Sequence, residues 1–396
     1  MAFRVLEDLD LDGKRVLLRA DFNVPLKDGQ ITDDTRIRRT LATIQHLLDR
    51  GAKVIVMSHL GRPKGADPAL SMRPIAAALA RLLGREVAFA EDCVGPKAEA
   101  AVAILPKGGV LVLENLRFHA GEEANDPAFV ASLAKLGDVY VNDAFSAAHR
   151  AHASTEGLAH KLPAAAGRLM QEELQQLGRA LTSPQRPLVA IVGGAKVSTK
   201  LDLLENLVAK VDTLIIGGGM ANTFIFAEGH DVGRSLCEKD MAETARRIVA
   251  KAREEGRHIL VPIDGVVAPA LKEGVETELA SIDSIPADKM ILDVGPQTLA
   301  AIEACLKKAQ TLVWNGPLGA FETHPFEAAT MEVARLVSRL TKSGFLVSVA
   351  GGGDTVAALA MAKVEDDLSY VSTAGGAFLE WLEGKDLPGV KALEQP

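Results

Sequence analysis

KVIVMSHLGRP, residues 53–63, reads as a buried strand running into a functional loop. Val54, Ile55, Val56 and Met57 form an unbroken apolar run, the pattern of a strand covered on both faces. His59, Gly61 and Arg62 follow at once, where doubly wound sheets bind their ligands. The same grammar recurs along the chain. Arg15–Ala20, Val110–Glu114 and Asp138–Asn142 read as strands in the first half. Leu188–Gly193, Thr213–Gly217, His258–Pro262, Lys289–Leu292, Thr311–Asn315 and Phe345–Ala350 do so in the second. Helix-period segments such as Thr35–Leu48, Met241–Glu255 and Glu327–Leu340 lie between them. The alternation predicts parallel α/β sheets with helices on both faces.

The alternation pauses once. Leu169–Leu181 reads as a polar, Gln-rich helix, and TSPQRP (Thr182–Pro187) breaks it. The chain has 396 residues, more than one core usually serves. The expected architecture is two doubly wound, Rossmann-like lobes, residues 1–168 and 188–376, joined by a bridging helix and hinge at 169–187. The competing reading is one large sheet carrying an ordinary surface helix.

Composition narrows the function classes. With 48% hydrophobic and 24% charged residues, the chain is neither disordered nor fibrous in type. A net charge of -8 disfavours a general nucleic-acid binder, since most of the surface repels a phosphate backbone. Cys93, Cys237 and Cys305 are widely spaced and odd in number, which suggests free thiols in a reducing compartment. The opening MAFRVLEDLDLDGKRV has charges where a signal peptide is apolar, and no apolar run is long enough to cross a bilayer. A cytoplasmic location is expected.

The first half collects cations after its strands. RADFNVP places Arg19, Asp21 and Asn23 at the end of the first strand, and Arg36 begins the next helix beside Arg38 and Arg39. SHLGRP supplies His59 and Arg62, LRFH supplies Arg117 and His119, and His149, Arg150 and His152 follow the fourth strand. Arginine forks match phosphate and carboxylate oxygens bidentately, so the recurrence points to a pocket for a small polyanion. Any one of these arginines has an ordinary reading as a solvated charge, and Asp21 as the partner of a nearby arginine.

The second half collects glycines. GGAKVSTK (Gly193–Lys200), GGGMANTF (Gly217–Phe224), WNGPLGAFE (Trp314–Glu322) and GGGDT (Gly351–Thr355) follow strands, and TAGGA (Thr373–Ala377) precedes the last helix. Glycine lets backbone amides approach phosphate oxygens or a flat base. Lys196 and Lys200, four apart, share a face if a helix starts there. Asp354 is a candidate magnesium contact, with a helix N-cap as its ordinary reading. No GxxxxGK[ST] is present and no GxGxxG follows the first strand of either half, against a P-loop protein or a dinucleotide dehydrogenase.

RADFNVP, SHLGRP, ENLRFH, NDAF with AHRAH, GGAKVSTK, WNGPLGAFE and GGGDT occur in the order and spacing of the phosphoglycerate kinase family, and the resemblance covers essentially the whole chain. It implies reversible, magnesium-dependent phosphoryl transfer between ATP and 3-phosphoglycerate, yielding ADP and 1,3-bisphosphoglycerate, by a monomer. Asp21, Asn23, Arg36, His59, Leu60, Gly61, Arg62, Arg117 and Arg150 resemble the phosphoglycerate site, with Arg19 as an accessory cation. Lys196, Lys200, Gly217, Gly218, Asn315, Glu322, Gly352, Gly353, Asp354 and Thr355 resemble the nucleotide site. Glu322 is suited to the ribose hydroxyls, Gly217–Gly219 to the adenine wall and Asp354 to the metal. Arg36, Lys196 and Gly353 resemble the groups that meet the phosphoryl in flight. The resemblance also returns the segment Ala377–Pro396 to the first lobe. Thr199, Ala374 and Ser146–Ala147 depart from the family pattern without removing a group the chemistry needs. A two-lobed binding protein and a nucleotide-dependent ligase or dehydrogenase are the other classes, separated by whether ATP consumption requires 3-phosphoglycerate.

Overall fold

The computed structural model describes residues 3–394. The chain forms two compact units. The first runs up to Gln175 and resumes at Asp386; the second spans Gln176–Lys385.

Eight strands belong to the first unit: β1 (Arg15–Arg19), β2 (Leu26–Lys27), β3 (Gln30–Ile31), β4 (Lys53–Met57), β5 (Ala88–Ala90), β6 (Val110–Leu113), β7 (Val139–Asn142) and β8 (Ala164–Ala166). Six of them make one sheet in the order β5-β6-β4-β1-β7-β8, and every pairing in it is parallel. β2 and β3 form a small separate hairpin. The apolar runs fill the sheet because it is covered on both faces; Val16, Leu17, Leu18, Val54, Ile55 and Val56 are fully buried. Each such side chain contributes about 1.5–3 kcal/mol relative to exposure. From β1 the chain winds outward through β4 to β5 and β6, then returns to the other side of β1 with β7 and β8. The switch beside β1 opens a crevice at the carboxyl ends of the strands.

Helix α1 (Thr35–Asp49) shows how a helix is fitted to this sheet. Ile37, Thr40, Ile44, Leu47 and Leu48 recur at helical spacing and are buried. Asp33 accepts hydrogen bonds from the Thr35 amide and hydroxyl at 2.8 and 2.6 Å, fixing the helix start. Before the chain leaves the unit it also forms α2 (Arg73–Leu83), α3 (Gly95–Ala103), α4 (Ala120–Glu123), α5 (Pro127–Ala134) and the first turns of α6 (Arg168–Leu177).

The second unit repeats the plan with β9 (Leu188–Val192), β10 (Thr213–Ile216), β11 (His258–Leu260), β15 (Thr311–Asn315), β16 (Val347–Gly351) and β17 (Tyr370–Ser372) in the order β11-β10-β9-β15-β16-β17. Its switch lies between β9 and β15. Helices α7 (Leu201–Val208), α8 (Gly219–Ala227), α9 (Ala242–Glu254), α10 (Pro296–Leu306), α11 (Ala328–Lys342), α12 (Gly353–Ala362) and α13 (Gly376–Leu382) connect and cover it.

Several expectations are corrected. The strand read at Lys289–Leu292 is β14 (Met290–Val294), and it lies outside the parallel sheet. It pairs antiparallel with β12 (Asp264–Ala268), whose other edge takes β13 (Glu278–Ser281). No α-helix separates these strands, and without a crossover helix neighbours pair antiparallel. The helix expected to Leu181 ends as an α-helix at Leu177; π-type turns carry it through Gly178–Thr182. The return to the first unit begins at Asp386, not Ala377. α13 stays with the second unit because Phe378 is buried against Gly351 and Asn206 donates to the Leu382 carbonyl at 2.5 Å. After α13, α14 (Pro388–Lys391) sits in the first unit, where the Gly389 amide donates to Ala148 at 2.8 Å and Phe3 pairs with Glu394.

Candidate functional site

In the first unit, one hydrogen-bonded chain links most of the expected residues. Asp21 lies just beyond β1, and its Oδ2 accepts from Arg36 at 2.5 Å and from the Ser146 hydroxyl beyond β7. Its Oδ1 accepts the Asn23 amide at 3.0 Å. Asn23 Oδ1 accepts the Gly61 amide at 2.8 Å, and the Gly61 carbonyl accepts from Arg117 at 2.8 Å. Gly61 has a φ of 65°, the left-handed region that glycine tolerates, and this turns both its backbone groups into the network. Leu60 is buried and held at its backbone by Asn115, which also accepts the Arg117 amide at 3.1 Å. Four strand ends, those of β1, β4, β6 and β7, thus meet in one cluster.

Arg19, read as an accessory cation, is only 1% exposed and turns its donors inward. Its guanidinium donates to Ser154 Oγ at 2.7 Å, to the Ala20 carbonyl and to His59 Nδ1 at 3.1 Å. Ser154 in turn donates to buried Glu122. A guanidinium only donates, so His59 Nδ1 must accept and the ring proton must sit on Nε2. Burial first, and then Arg19, push the His59 pKa well below its ordinary value. Burial raises the Asp21 pKa, and the groups around it lower it: His59 most where its ring is charged, then Arg36, the Ser146 hydroxyl and Arg19. Burial, Arg117, Arg19 and Arg150 bring His152 down to about 4, a measure of how densely cations gather here. Arg36 is set apart from its helix neighbours: it bonds Asp21, whereas Arg38 bonds Asp34 at 2.7 Å. Arg150 bonds His149 at 3.2 Å, and Arg62 is exposed; neither is hydrogen-bonded into the cluster among the described residues.

In the second unit, the glycine runs meet at the switch between β9 and β15. Gly193 donates to the Asn315 carbonyl at 3.0 Å, and a β-carbon on Gly193 would lie 1.9 Å from the Pro317 carbonyl. Lys200 ties the crossing together: Nζ donates to Gly193 O at 2.6 Å and to Asn315 O and Oδ1 at 3.2 and 2.6 Å. Burial lowers its pKa to about 8, with Asp354 opposing. Asn315 Nδ2 donates to Gly351 O at 2.9 Å, and the Gly316 amide to Thr355 Oγ1 at 2.7 Å. Lys196 does not share a helical face with Lys200, because α7 starts only at Leu201; it is exposed.

Beside this clamp lies a cavity of about 400 Å3. Gly218, Gly219, Glu322 and Asp354 line it, as do Ile225, Leu236, Met290, Leu292, Leu318 and Phe321. Gly217 does not; a β-carbon there would meet Leu318 at 2.8 Å, so its role is packing. Gly218, with φ 68°, would press a β-carbon onto Gly194 at 2.7 Å. Gly352 is the N-cap of α12, so Gly353 opens the helix and Asp354 is its second residue. That overturns the N-cap reading of Asp354. Its exposed carboxylate accepts no hydrogen bond from a described residue. The amides of this first turn have no intrahelical partner and attract anions.

Residue-by-residue reading missed the supporting cast. Ser154 and Glu122 carry no motif signal, Asn115 lies in ENLRFH but was given no role, and Ser146 stood out only as a departure from the family pattern. The apolar cavity wall comes partly from β14, whose sheet was not foreseen.

Two doubly wound α/β units, one with a basic cluster at its strand ends and the other with a glycine-walled cavity at a helix N-terminus, are the architecture of a phosphotransferase-class enzyme. The sequence model of the phosphoglycerate kinase family matches residues 6–385, and the chain belongs to that family. It is 62% identical over 397 aligned positions to the phosphoglycerate kinase of Sinorhizobium medicae, covering 100% of both chains. It is 62% identical over 393 positions to that of Methylorubrum extorquens strain PA1, covering 99% and 98%. The phosphoglycerate kinase structure from Coxiella burnetii superposes with a TM-score of 0.93 at 43% identity, covering 99% of this chain and 98% of that one. The one from Pyrococcus horikoshii OT3 gives 0.80 at 34%, with the same coverage.

Proposed function

We propose that the first-unit cluster binds 3-phosphoglycerate, that the second-unit cavity and clamp bind ATP or ADP, and that the chain moves a phosphoryl group between them, forming or consuming 1,3-bisphosphoglycerate. The carrying observation is that the cluster is rich in cations and that Asp21 and His59, the carboxylate and the imidazole within its hydrogen-bonded chain, have their basic atoms engaged. Asp21 uses both oxygens, on Arg36, Ser146 and Asn23. His59 has its basic nitrogen occupied by Arg19. A hydroxyl acceptor requires a base, whereas a carboxylate acceptor is already ionised at neutral pH.

The remaining work is positioning and charge neutralisation. Arg62, Arg117 and Arg150 suit the phosphate and carboxylate of the acceptor, and the Nε2–H of His59 supplies a neutral donor. Arg36 keeps part of its fork for the phosphoryl in flight, since one nitrogen suffices for Asp21. On the donor side, the apolar wall suits an adenine, Glu322 the ribose hydroxyls, and Lys196 with the Gly353 amide the migrating phosphoryl. Lys200, Asn315, Gly352 and Thr355 shape that end of the site. Donor and acceptor are held by different units, so transfer requires a conformation in which they meet, with 169–187 as the proposed hinge. Excluding water there protects the acyl phosphate from hydrolysis.

Asp354 fits a magnesium contact, because magnesium takes few protein carboxylates and completes its shell with phosphates and water. When bound, the ion neutralises phosphate charge. A cytoplasmic monomer without nucleic-acid partners completes the reading, supported by the family likeness and the acidic net charge. The test is a coupled assay of ATP consumption with and without 3-phosphoglycerate. Turnover must be strictly dependent on that acid; ATP consumption without it refutes the assignment.

A further inference from the structure

Away from the cluster, the end of β5 meets the turn that follows β6. There Asp92, Cys93 and His119 each bring one ligand atom to within 4.8 Å of the others. His119 Nε2 lies 2.7 Å from Asp92 Oδ1, and the Cys93 amide donates to the same oxygen at 2.7 Å. The His119 ring stacks on Phe129 at 5.4 Å, which restrains its plane. Cys93 is fully buried, while the His119 and Asp92 side chains are 36% and 38% exposed, leaving a way in from solvent on one side.

We propose that Asp92, Cys93 and His119 form a binding site for a zinc-class divalent cation. The donor set decides the class of ion. One thiolate, one imidazole and one carboxylate suit zinc, whereas magnesium and calcium take oxygen shells. Zinc bonds of about 2.0–2.3 Å place tetrahedral ligand atoms roughly 3.3–3.6 Å apart. The present separations, from 2.7 Å to at most 4.8 Å, bracket that range. Binding through Nε2 replaces the Asp92–His119 hydrogen bond with two metal bonds; the Nε2 proton is given up to solvent and the neutral ring carries its proton on Nδ1, while the Cys93 thiol proton is also released to solvent. Three protein ligands leave a fourth position for water, as in exchangeable zinc sites. His119 follows Arg117 by two residues, so an ion here also braces the turn that presents Arg117 to the anion cluster.

Cobalt(II) is the probe, because its thiolate complexes absorb in the near ultraviolet and in tetrahedral sites show intense visible bands. The full-length protein is titrated with cobalt in the presence of magnesium and without nucleotide. One equivalent should give a saturable thiolate-to-cobalt band that zinc abolishes. The band should persist in Cys237→Ser and Cys305→Ser, disappear in Cys93→Ser, and need at least ~10-fold more cobalt in His119→Gln. His119 is partly exposed, so its variant serves if Cys93→Ser fails to fold. No thiolate band in the wild type, or a band that His119→Gln leaves unchanged, overturns the proposal.

Discussion

Replacing Arg19 by methionine separates a buried positioning role from direct ligand contact. Arg19 holds its guanidinium on Ser154, the Ala20 carbonyl and His59 Nδ1, with Glu122 one bond further on. Methionine fills similar length but donates nothing. Ser154 keeps Glu122, whereas His59 Nδ1 and the Ala20 carbonyl lose their side-chain donor in a buried place. Each such group costs about 1–3 kcal/mol, so the expected loss of unfolding free energy is about 4 kcal/mol. Urea denaturation measures it. The second readout is the ring of His59 itself, by two-bond nitrogen–proton correlation. The wild type should show the Nε2–H tautomer alone, and the variant a mixture. The pH dependence follows. Native His59 resists a proton that the unfolded chain takes up near its ordinary pKa, so wild-type stability falls as pH drops below about 6.5. Without Arg19, burial, Arg117 and Arg36 still oppose that proton but less strongly together, and the acid-side fall should be shallower. A loss below about 1 kcal/mol together with an unchanged His59 spectrum refutes the reasoning.

Three other outcomes are expected. Arg36→Ala should lower kcat by at least ~10²-fold with a much smaller change in 3-phosphoglycerate affinity, and Arg36→Lys should be substantially impaired; separate turnover and equilibrium-binding measurements decide, and a pure affinity loss would make Arg36 a ground-state clamp. Asp354→Asn should weaken magnesium–nucleotide binding, read by calorimetry, and spare 3-phosphoglycerate binding; equal magnesium dependence in variant and wild type removes the metal role. Because burial brings Lys200 from 10.5 to about 8, the native state binds fewer protons than the unfolded chain between those values, and stability contributed there rises with pH. The unfolding free energy of wild type relative to Lys200→Met should therefore grow by about 3 kcal/mol from pH 8 to 10.5, and a flat difference would mean that burial leaves Lys200 unperturbed.

The parallel sheets were legible because burial on both faces leaves a trace: three to five consecutive apolar residues, then a polar residue or glycine at the strand end. β1, β4, β9 and β15 carry it, ending at Arg19, Ser58, Gly193 and Asn315. β14 does not, because it is buried only at Asp293 and Val294 and stands in a half-exposed antiparallel sheet. β5 and β8 are three residues long and alanine-rich, too short and too plain to separate from loops. The C-terminal boundary was misplaced for a similar reason. Nothing local in GAFLEWL tells Phe378 that its partner is Gly351 and not the first unit.

The site was legible to a different depth in each unit, and the cause is chemical. The proposed nucleotide site, made largely of backbone, declares itself through glycine, since a β-carbon at Gly193 or Gly218 would collide with neighbouring backbone. Its apolar wall declares nothing, because Leu236 or Leu292 reads like any core residue. In the proposed anion site the charges are conspicuous, but their division of labour depends on burial. Arg19 and Arg36 look alike in sequence. One is sealed beneath the site and sets a histidine tautomer, and the other is 38% exposed and keeps donors to spare. Both follow from position: Arg19 is the last residue of a central strand, Arg36 the second of a helix beyond it. A strand-end cation beneath the crevice must find internal acceptors, and those acceptors become the parts it positions.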